Sequence, residues 1–188
     1  MDALLTSFLA AALGEFGDRT QILVAYLAAR FGVARPVLAG AAVGALANAL
    51  IAAIAGAMVH DIVTVRALSL LVAVAMIYTG ATGFFTKKPL EIGKNWKTGA
   101  FLTSAFVFFL AEFGDKTQFL TFALSAQYDA PVLAALGATA GVMAAAAPAA
   151  LLAARFETAF PLRPIRYGVA ILFLLGGFIV AINALRLI

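Results

Sequence analysis

One acidic segment occurs twice in the chain, at a separation of 97 residues. It reads Glu-Phe-Gly-Asp-Arg-Thr-Gln at 15–21 and Glu-Phe-Gly-Asp-Lys-Thr-Gln at 112–118. The same separation relates further identical residues, namely Thr6 and Thr103, Ser7 and Ser104, Gly40 and Gly137, Gly44 and Gly141, Arg66 and Arg163, and Gly80 and Gly177. No gap is needed to align these pairs, so the sequence indicates two copies of one structural unit.

Composition places both copies in a membrane. Apolar residues make up 64% of the chain and charged residues 12%, which is more apolar surface than a soluble domain of 188 residues can bury. A membrane-spanning helix takes about 20 residues. The apolar runs predict six such helices, approximately at 3–30, 36–59, 66–86, 98–126, 131–154 and 165–187. The first and fourth contain the acidic motifs and are long enough to tilt or to break.

The predicted fold is an all-α integral membrane protein with six transmembrane helices, arranged as two three-helix repeats. The repeats cover 1–86 and 98–188 and are joined by a linker at 87–97. Because three is an odd number, the second repeat enters the membrane from the opposite side. Inverted repeats of this kind are typical of secondary transporters, whose site lies near the midplane between the repeats. The Gly-xxx-Gly pairs of the second and fifth helices are interpreted as packing contacts.

Basic residues predict how the six helices are oriented. Nine of them lie in the loops after the first, third and fifth helices, namely Arg30, Arg35, Lys87, Lys88, Lys94, Lys97, Arg155, Arg163 and Arg166. The opposite side has only Arg66 and Arg186. The positive-inside rule then places the three basic loops in the cytoplasm and both termini outside. Trp96 is expected to be an interfacial anchor.

The two motifs together predict a cation site at the midplane. The predicted metal ligands are Glu15, Asp18, Gln21, Glu112, Asp115 and Gln118, supported by Thr20 and Thr117. All of these side chains offer oxygen, which hard cations such as Ca²⁺, Mg²⁺ and Mn²⁺ prefer. In each copy the acids and the amide recur every three residues and share a helix face. Gly17 and Gly114 lie between the acids and are expected to allow local unwinding, which would expose backbone carbonyls to an ion.

Arg19 and Lys116 reduce the negative charge of the motifs. Each motif has two acids and one base and therefore carries −1, so the two together carry −2, which one divalent cation would neutralise. Each base follows the glutamate of its own motif by four residues, within reach of an ion pair. Without a cation, buried carboxylates that lie close together are expected to take up protons. Competition between cation and proton for the same oxygens predicts an exchanger.

A structural alternative interprets the same residues as ion pairs that hold the helices together, with Asp18 and Asp115 as caps of broken helices. Other polar residues are open to two interpretations as well. Asn48 lies in mid-span, and the equivalent residue of the other copy is Ala145. Asn48 could tune the site or make an interhelical hydrogen bond. The serines two turns before the glutamates could line an access path or bond to their own helix. His60 is expected at the interface, not among the ligands.

The doubled motif resembles the signature of the Golgi-type calcium/manganese–proton antiporter family and its bacterial relatives. That signature, Glu-x-Gly-Asp-[Lys/Arg]-[Thr/Ser], stands here at 15–20 and 112–117. The short basic linker 87–97 is similar to that of the compact bacterial members. The resemblance implies export of Mn²⁺, or of Ca²⁺, from the cytoplasm in exchange for protons, with the motif acids as ligands.

These observations predict a transporter and not an enzyme, since no nucleophile–base pair is recognisable. The expected partners are a divalent cation, protons and the lipid of a bacterial inner membrane, with no nucleic acid and no bound cofactor; a homo-oligomer is compatible with the sequence. One alternative is an exporter of small organic cations or amino acids, which would need a larger, aromatic-lined cavity. Another is a membrane assembly protein with buried ion pairs and no transport cycle.

Overall fold

A computed structural model describes residues 1–85 and 98–185. Its helices are α1 Asp2–Glu15, α2 Arg19–Phe31, α3 Ala34–His60, α4 Val65–Gly83, α5 Ala100–Glu112, α6 Lys116–Tyr128, α7 Pro131–Leu152, α8 Phe156–Ala159 and α9 Leu162–Leu185, with a 3-10 turn at Ala153–Arg155. Helices account for 88% of the structure, and the described residues form no strand. The predicted all-α fold class is therefore confirmed.

Four helical segments are long and apolar enough to cross a membrane. They are α3, α4, the segment Pro131–Ala159 that includes α7 and α8, and α9. These segments correspond to four of the six predicted spans, with ends shifted by a few residues. The linker 87–97, with Trp96 and its four lysines, lies outside the described residues.

The two predicted spans that carry the acidic motifs, 3–30 and 98–126, are each divided into two shorter helices. The first is divided into α1 and α2, and the second into α5 and α6. At the breaks, Gly17 and Gly114 have φ angles of 78° and 74°, in the left-handed region that glycine adopts without a steric penalty. The unwinding predicted at these glycines is confirmed. Crossing of the membrane by each helix pair as one span stays a prediction.

The repeat found in the sequence extends to the helix boundaries. Helices α2, α3 and α4 begin 97 residues before α6, α7 and α9, at residues 19 and 116, 34 and 131, and 65 and 162. Both copies thus have a broken motif-bearing segment followed by two long helices. The inverted relation of the two copies stays a prediction.

Glycines hold helices of the two copies in close contact. A Cβ on Gly44 of α3 would lie 2.9 Å from the amide nitrogen of Phe109 in α5. At the equivalent position of α7, a Cβ on Gly141 would lie 2.8 Å from the amide nitrogen of Ala12 in α1. Only glycine allows helix backbones to approach this closely. The packing interpretation of the glycine pairs is confirmed, and each pair joins one half of the chain to the other.

The interior consists largely of small residues, and the outer surface of large apolar ones. Alanines of α3 and α7, such as Ala41 and Ala134, are fully buried, whereas Leu5, Ile54 and Phe178 are each more than half exposed. Small residues between helices and large apolar residues outside are the distribution expected of helices surrounded by lipid. The chain is thus an integral membrane protein whose buried polar groups concentrate at the helix breaks.

Candidate functional site

The two acidic motifs meet in the interior, at the breaks of the motif-bearing segments. The Lys116 ammonium donates to the Asp18 carboxylate, and the Thr117 hydroxyl donates to the Glu15 carboxylate. Both contacts join the second half of the chain to the first. The four motif carboxylates are all buried, with at most 8% of any of these residues exposed. The structure therefore brings the predicted site residues of the two halves together in one buried region.

Each motif aspartate pairs with the basic residue of the other half. Asp18 and Lys116 form a buried ion pair, and an Arg19 guanidinium nitrogen lies 3.7 Å from an Asp115 carboxylate oxygen. Arg19 is four residues from Glu15, but the helix breaks between them, and the guanidinium donates to a carbonyl of α5 at 2.8 Å. The expectation of ion pairs within each motif is therefore wrong. Pairs across the two halves take their place.

The two motif glutamates have unequal surroundings. Both carboxylate oxygens of Glu15 accept a hydroxyl hydrogen, one from Thr20 and one from Thr117. Threonines of both halves thus serve the same glutamate. Glu112 is 3% exposed, and its Oε1 has no hydrogen-bonding partner among the described residues. Because the two glutamates occupy equivalent positions in the repeat, this difference is one of conformation.

Gln21 and Gln118 each accept a hydrogen bond from the glycine at one of the two helix breaks. The Gly17 N–H donates to Oε1 of Gln21 at 2.8 Å, and the Gly114 N–H donates to Oε1 of Gln118 at 2.6 Å. The amide nitrogen of Gln21 in turn donates to a carbonyl of α7 at 2.7 Å. These are the contacts of groups that orient the backbone at the breaks. Ligation of a cation by their oxygens stays a prediction.

Asp18 also acts as a helix cap. It precedes α2 and accepts a hydrogen bond from the Arg19 N–H at 2.8 Å. Asp115 occupies the same position before α6 but makes no capping hydrogen bond with its side chain. The capping role weighed for the two aspartates is thus observed at Asp18.

These contacts leave the two glutamates as the motif acids without an ion-pair contact among the described residues. Each aspartate is paired with a base, whereas Glu15 accepts only neutral hydroxyl donors and Glu112 has no ion pair within the described residues. When ionised, the two glutamates contribute −2. Nowhere in 1–85 and 98–185 do three Asp, Glu, His or Cys side chains lie close enough together to hold a metal ion. A cation bound here would therefore need neutral oxygens as well.

A small chamber of about 20 Å³ lies beside Glu112. Its polar lining consists of Asn48, Glu112, Thr117, Gln118, Thr121 and Thr139, and its apolar lining of Ala45, Ala49, Ala138 and Val142. One water-sized particle needs about 10–15 Å³ of such space, so the chamber holds a single water or a single ion. Thr121 and Thr139 lie outside the motifs and were not predicted, although both are polar where the other copy has Val24 and Ala42.

The two breaks are covered to different extents. A Cβ on Gly17 would lie 2.8 Å from the Leu162 carbonyl oxygen of α9, whereas a Cβ on Gly114 would meet no atom within 4 Å. Gly114 borders a crevice of about 530 Å³ that reaches Asp115 and Gln118. The crevice beside Gly17, of about 470 Å³, is lined by no motif acid. The site is therefore more accessible from the side of the second break.

The structure shows the contacts of the polar residues outside the motifs. Asn48 donates from its amide nitrogen to a carbonyl of α5 at 2.8 Å, which confirms the interhelical hydrogen bond, and it also lines the chamber. His60 bonds to a carbonyl of α6 at 2.7 Å, and it lines none of the chamber or crevices described above. The hydroxyls of Ser7 and Ser104 are buried and have no hydrogen-bonding partner, so the bond to their own helix is not observed.

Comparison with known proteins gives two matches. The family model described as divalent cation/proton antiporter GDT1 matches residues 3–90 and again residues 100–187. A protein of Vibrio cholerae named "Putative manganese exporter" is 36% identical over 177 residues, which cover 93% of this chain and 88% of the relative. No solved structure matches the chain.

Proposed function

Since the chain belongs to the GDT1 family of divalent cation/proton antiporters, we propose that it exports Mn²⁺ from the cytoplasm in exchange for protons. Membership of this family makes the chain a cation transporter of the membrane and not an enzyme. The choice of Mn²⁺ is supported by the name of the Vibrio cholerae relative. It is also supported by the small chamber, because Ca²⁺ takes six to eight oxygens at longer distances.

The proposed architecture has six spans in two inverted repeats, with the α1–α2 pair and the α5–α6 pair each acting as one broken span. Broken helices whose ends meet at a central site are a recurring feature of inverted-repeat transporters. The recurrence of helix starts at an offset of 97 supports this arrangement. Both termini lie outside a bacterial inner membrane in this proposal, as the distribution of basic residues predicts.

The proposed ligands are the motif side chains, Glu15, Asp18, Gln21, Glu112, Asp115 and Gln118, with Thr20 and Thr117 in support. The charge on the two glutamates is the observation that carries the proposal. With both aspartates paired to bases, the glutamates contribute −2, which one divalent cation neutralises. Two uncompensated charges are costly in the protein interior. Departure of the cation therefore requires that protons replace it.

Lys116 and Arg19 act in this proposal as counter-ions of the two motif aspartates when no cation is bound to them. Each lies between the halves and neutralises the aspartate of the opposite motif. A cation that binds an aspartate would have to displace the base from it. Binding and release of the cation are thereby coupled to the contact between the two halves.

The organic-cation alternative finds partial support in the crevice beside Gly114. Its lining includes four aromatic side chains, Tyr78, Phe113, Phe119 and Phe122. The chamber beside Glu112, however, has a volume of only about 20 Å³, which accommodates an ion but not an amino acid. The divalent cation is therefore the preferred substrate.

Transport by the purified chain in lipid vesicles tests the proposal. With an imposed pH gradient, Mn²⁺ should accumulate inside the vesicles, where a metal-sensitive dye reports it. Dissipation of the gradient should abolish this accumulation. Ca²⁺, Mg²⁺ and lysine are offered in parallel. Transport of lysine alone would favour the organic-cation alternative, and Ca²⁺ transport without Mn²⁺ transport would reverse the ion assignment.

Two matched variants test whether transport depends on the motif glutamates in particular. Glu15→Gln/Glu112→Gln should reduce Mn²⁺ transport to the level of empty vesicles, because it removes both uncompensated charges. Glu157→Gln is the control, since it makes the same chemical change at an exposed position. Full activity of the double variant, or absence of transport of every divalent ion by the unmodified chain, would refute the exchanger.

A further inference from the structure

We propose that the transported cation binds in the chamber beside Glu112, with the oxygens of Asn48, Thr121 and Thr139 as neutral ligands. The proposal rests on the proposed function. Of the motif residues named there, Glu112, Thr117 and Gln118 line the chamber, and three residues from outside the motifs join them. Asn48 lies on α3, Thr121 on α6 and Thr139 on α7, so the chamber joins helices from both halves of the chain.

The hydrogens of the polar side chains around the chamber are directed elsewhere. The hydroxyls of Thr121 and Thr139 donate to carbonyls one turn earlier on their own helices, at 2.8 and 2.7 Å. The Asn48 amide donates to α5 at 2.8 Å, and the Thr117 hydroxyl donates to Glu15. What remains for the chamber is the lone pairs of the hydroxyl and amide oxygens. Gln118 is the exception, since its amide nitrogen donates to Asn48 within the lining. The other polar side chains face the chamber with acceptors, which suits a cation.

The unpartnered oxygen of Glu112 supports the same conclusion. Its Oε1 is buried and has no hydrogen-bonding partner within 1–85 and 98–185, and Glu112 lines the chamber. The side-chain amide of Gln118, which also lines the chamber, donates to Asn48 over a long distance of 3.5 Å. A buried carboxylate oxygen without a donor is unfavourable. An ion in the chamber would satisfy it together with the neutral oxygens.

The repeat shows how the lining of the chamber differs from the equivalent positions in the other half of the chain. Both halves possess the motif glutamate, threonine and glutamine, but the three neutral ligands have no polar counterpart. The residues 97 positions from Asn48, Thr121 and Thr139 are Ala145, Val24 and Ala42, respectively. The oxygen cage is therefore complete beside Glu112 alone. One cation for the two motifs agrees with the charge of −2 on the two glutamates.

Direct binding of Mn²⁺ to the purified full-length chain in detergent tests the chamber. Electron paramagnetic resonance reports the free Mn²⁺, and pulsed measurements in ¹⁷O-labelled water report the waters that remain on the bound ion. The variants Asn48→Ala, Thr121→Val and Thr139→Ala place at each position the residue of the other half. Each should weaken binding about tenfold, or about 1.4 kcal/mol, and the bound ion should gain a water in place of the lost ligand.

Thr79→Val is the matched control. Thr79 is buried, like Thr121, and donates to a carbonyl one turn earlier, like Thr121 and Thr139, but it does not line the chamber. It should bind Mn²⁺ like the unmodified chain. Thr121→Ser keeps the hydroxyl, so its affinity for Mn²⁺ and the number of waters on the bound ion should be those of the unmodified chain. If Thr121→Val fails to fold, Asn48→Ala and Thr139→Ala are compared with Thr121→Ser instead.

The outcomes separate this proposal from the proposed function. Unchanged affinity and hydration in all three chamber variants, with binding lost in Glu112→Gln, would overturn the chamber and leave the exchanger intact. Failure of the unmodified chain to bind or transport any divalent cation would overturn both. Equal losses in Thr79→Val and in the chamber variants would overturn the chamber as well, because they would indicate a general effect of removing buried hydroxyls.

Discussion

Removal of the Asp18 charge is the most direct test of the ion pairs between the two halves. Asp18→Asn leaves the Lys116 ammonium without its ionic partner, on a side chain that is only 6% exposed. Loss of one member of a buried ion pair costs about 3–5 kcal/mol, because the other charge stays buried without compensation. A chain of this size loses roughly 2–4 °C of melting temperature per kcal/mol, so the expected decrease is about 10 °C.

Asp115→Asn is the matched comparison, since it makes the same change at the equivalent position. Its partner Arg19 has a side chain that is 22% exposed, lies 3.7 Å away and also donates to a carbonyl of α5. The α5 carbonyl still partners the partly exposed Arg19 guanidinium after the change, so less charge is left without compensation. The expected decrease in melting temperature is therefore smaller than that of Asp18→Asn.

The double variant Asp18→Asn/Lys116→Met identifies the cause of the loss. Replacing both members of a buried pair by uncharged groups is often neutral or stabilising, so most of the lost stability should return. Thermal unfolding of the purified chain in detergent, followed by size-exclusion chromatography of heated samples, measures all four proteins. Equal losses in the two aspartate variants, or no recovery in the double variant, would refute the reasoning.

Two further pairs of variants test the breaks and the buried serines. Gly17→Ala should destabilise more than Gly114→Ala in the same thermal assay: both place a side chain at positive φ, at about 1–2 kcal/mol, but only the first also meets the Leu162 carbonyl. The reverse order would contradict the observed packing of α9. Ser7→Ala and Ser104→Ala should leave the free energy of unfolding unchanged or raise it by about 1 kcal/mol, because each removes a buried hydroxyl without a partner. A clear loss in denaturant titrations would show that these hydroxyls are satisfied.

The parts of the fold that were predictable have local signals. Apolar runs between breakers identified α3, α4, α7 and α9, because length and apolarity are read directly from the sequence. The breaks at Gly17 and Gly114 were predictable for the same reason, since glycine and flanking acids disfavour a continuous helix. The assignment of two short helices to one span is not a local property. It depends on where lipid and water lie.

The contacts within the site were less predictable, because a break removes the helical geometry on which spacing arguments depend. A separation of four residues places Glu15 and Arg19 on one face only if the helix between them is continuous. The left-handed Gly17 interrupts it, and Arg19 reaches the opposite half instead. Thr121 and Thr139 had a usable signal, however. A comparison of the two copies for polar residues opposite apolar ones finds them as readily as it finds Asn48.

Two kinds of asymmetry between the halves have different consequences for transport. Glu15 and Glu112 are the same residue in different surroundings, as are Gly17 and Gly114. In an alternating-access cycle such differences can be exchanged by motion, because each half can adopt the conformation of the other. The difference in residue type at the three chamber positions cannot be exchanged, since it is fixed by the sequence. The proposed oxygen cage would therefore stay beside Glu112 in every conformation, while the coverage of the two breaks would change around it.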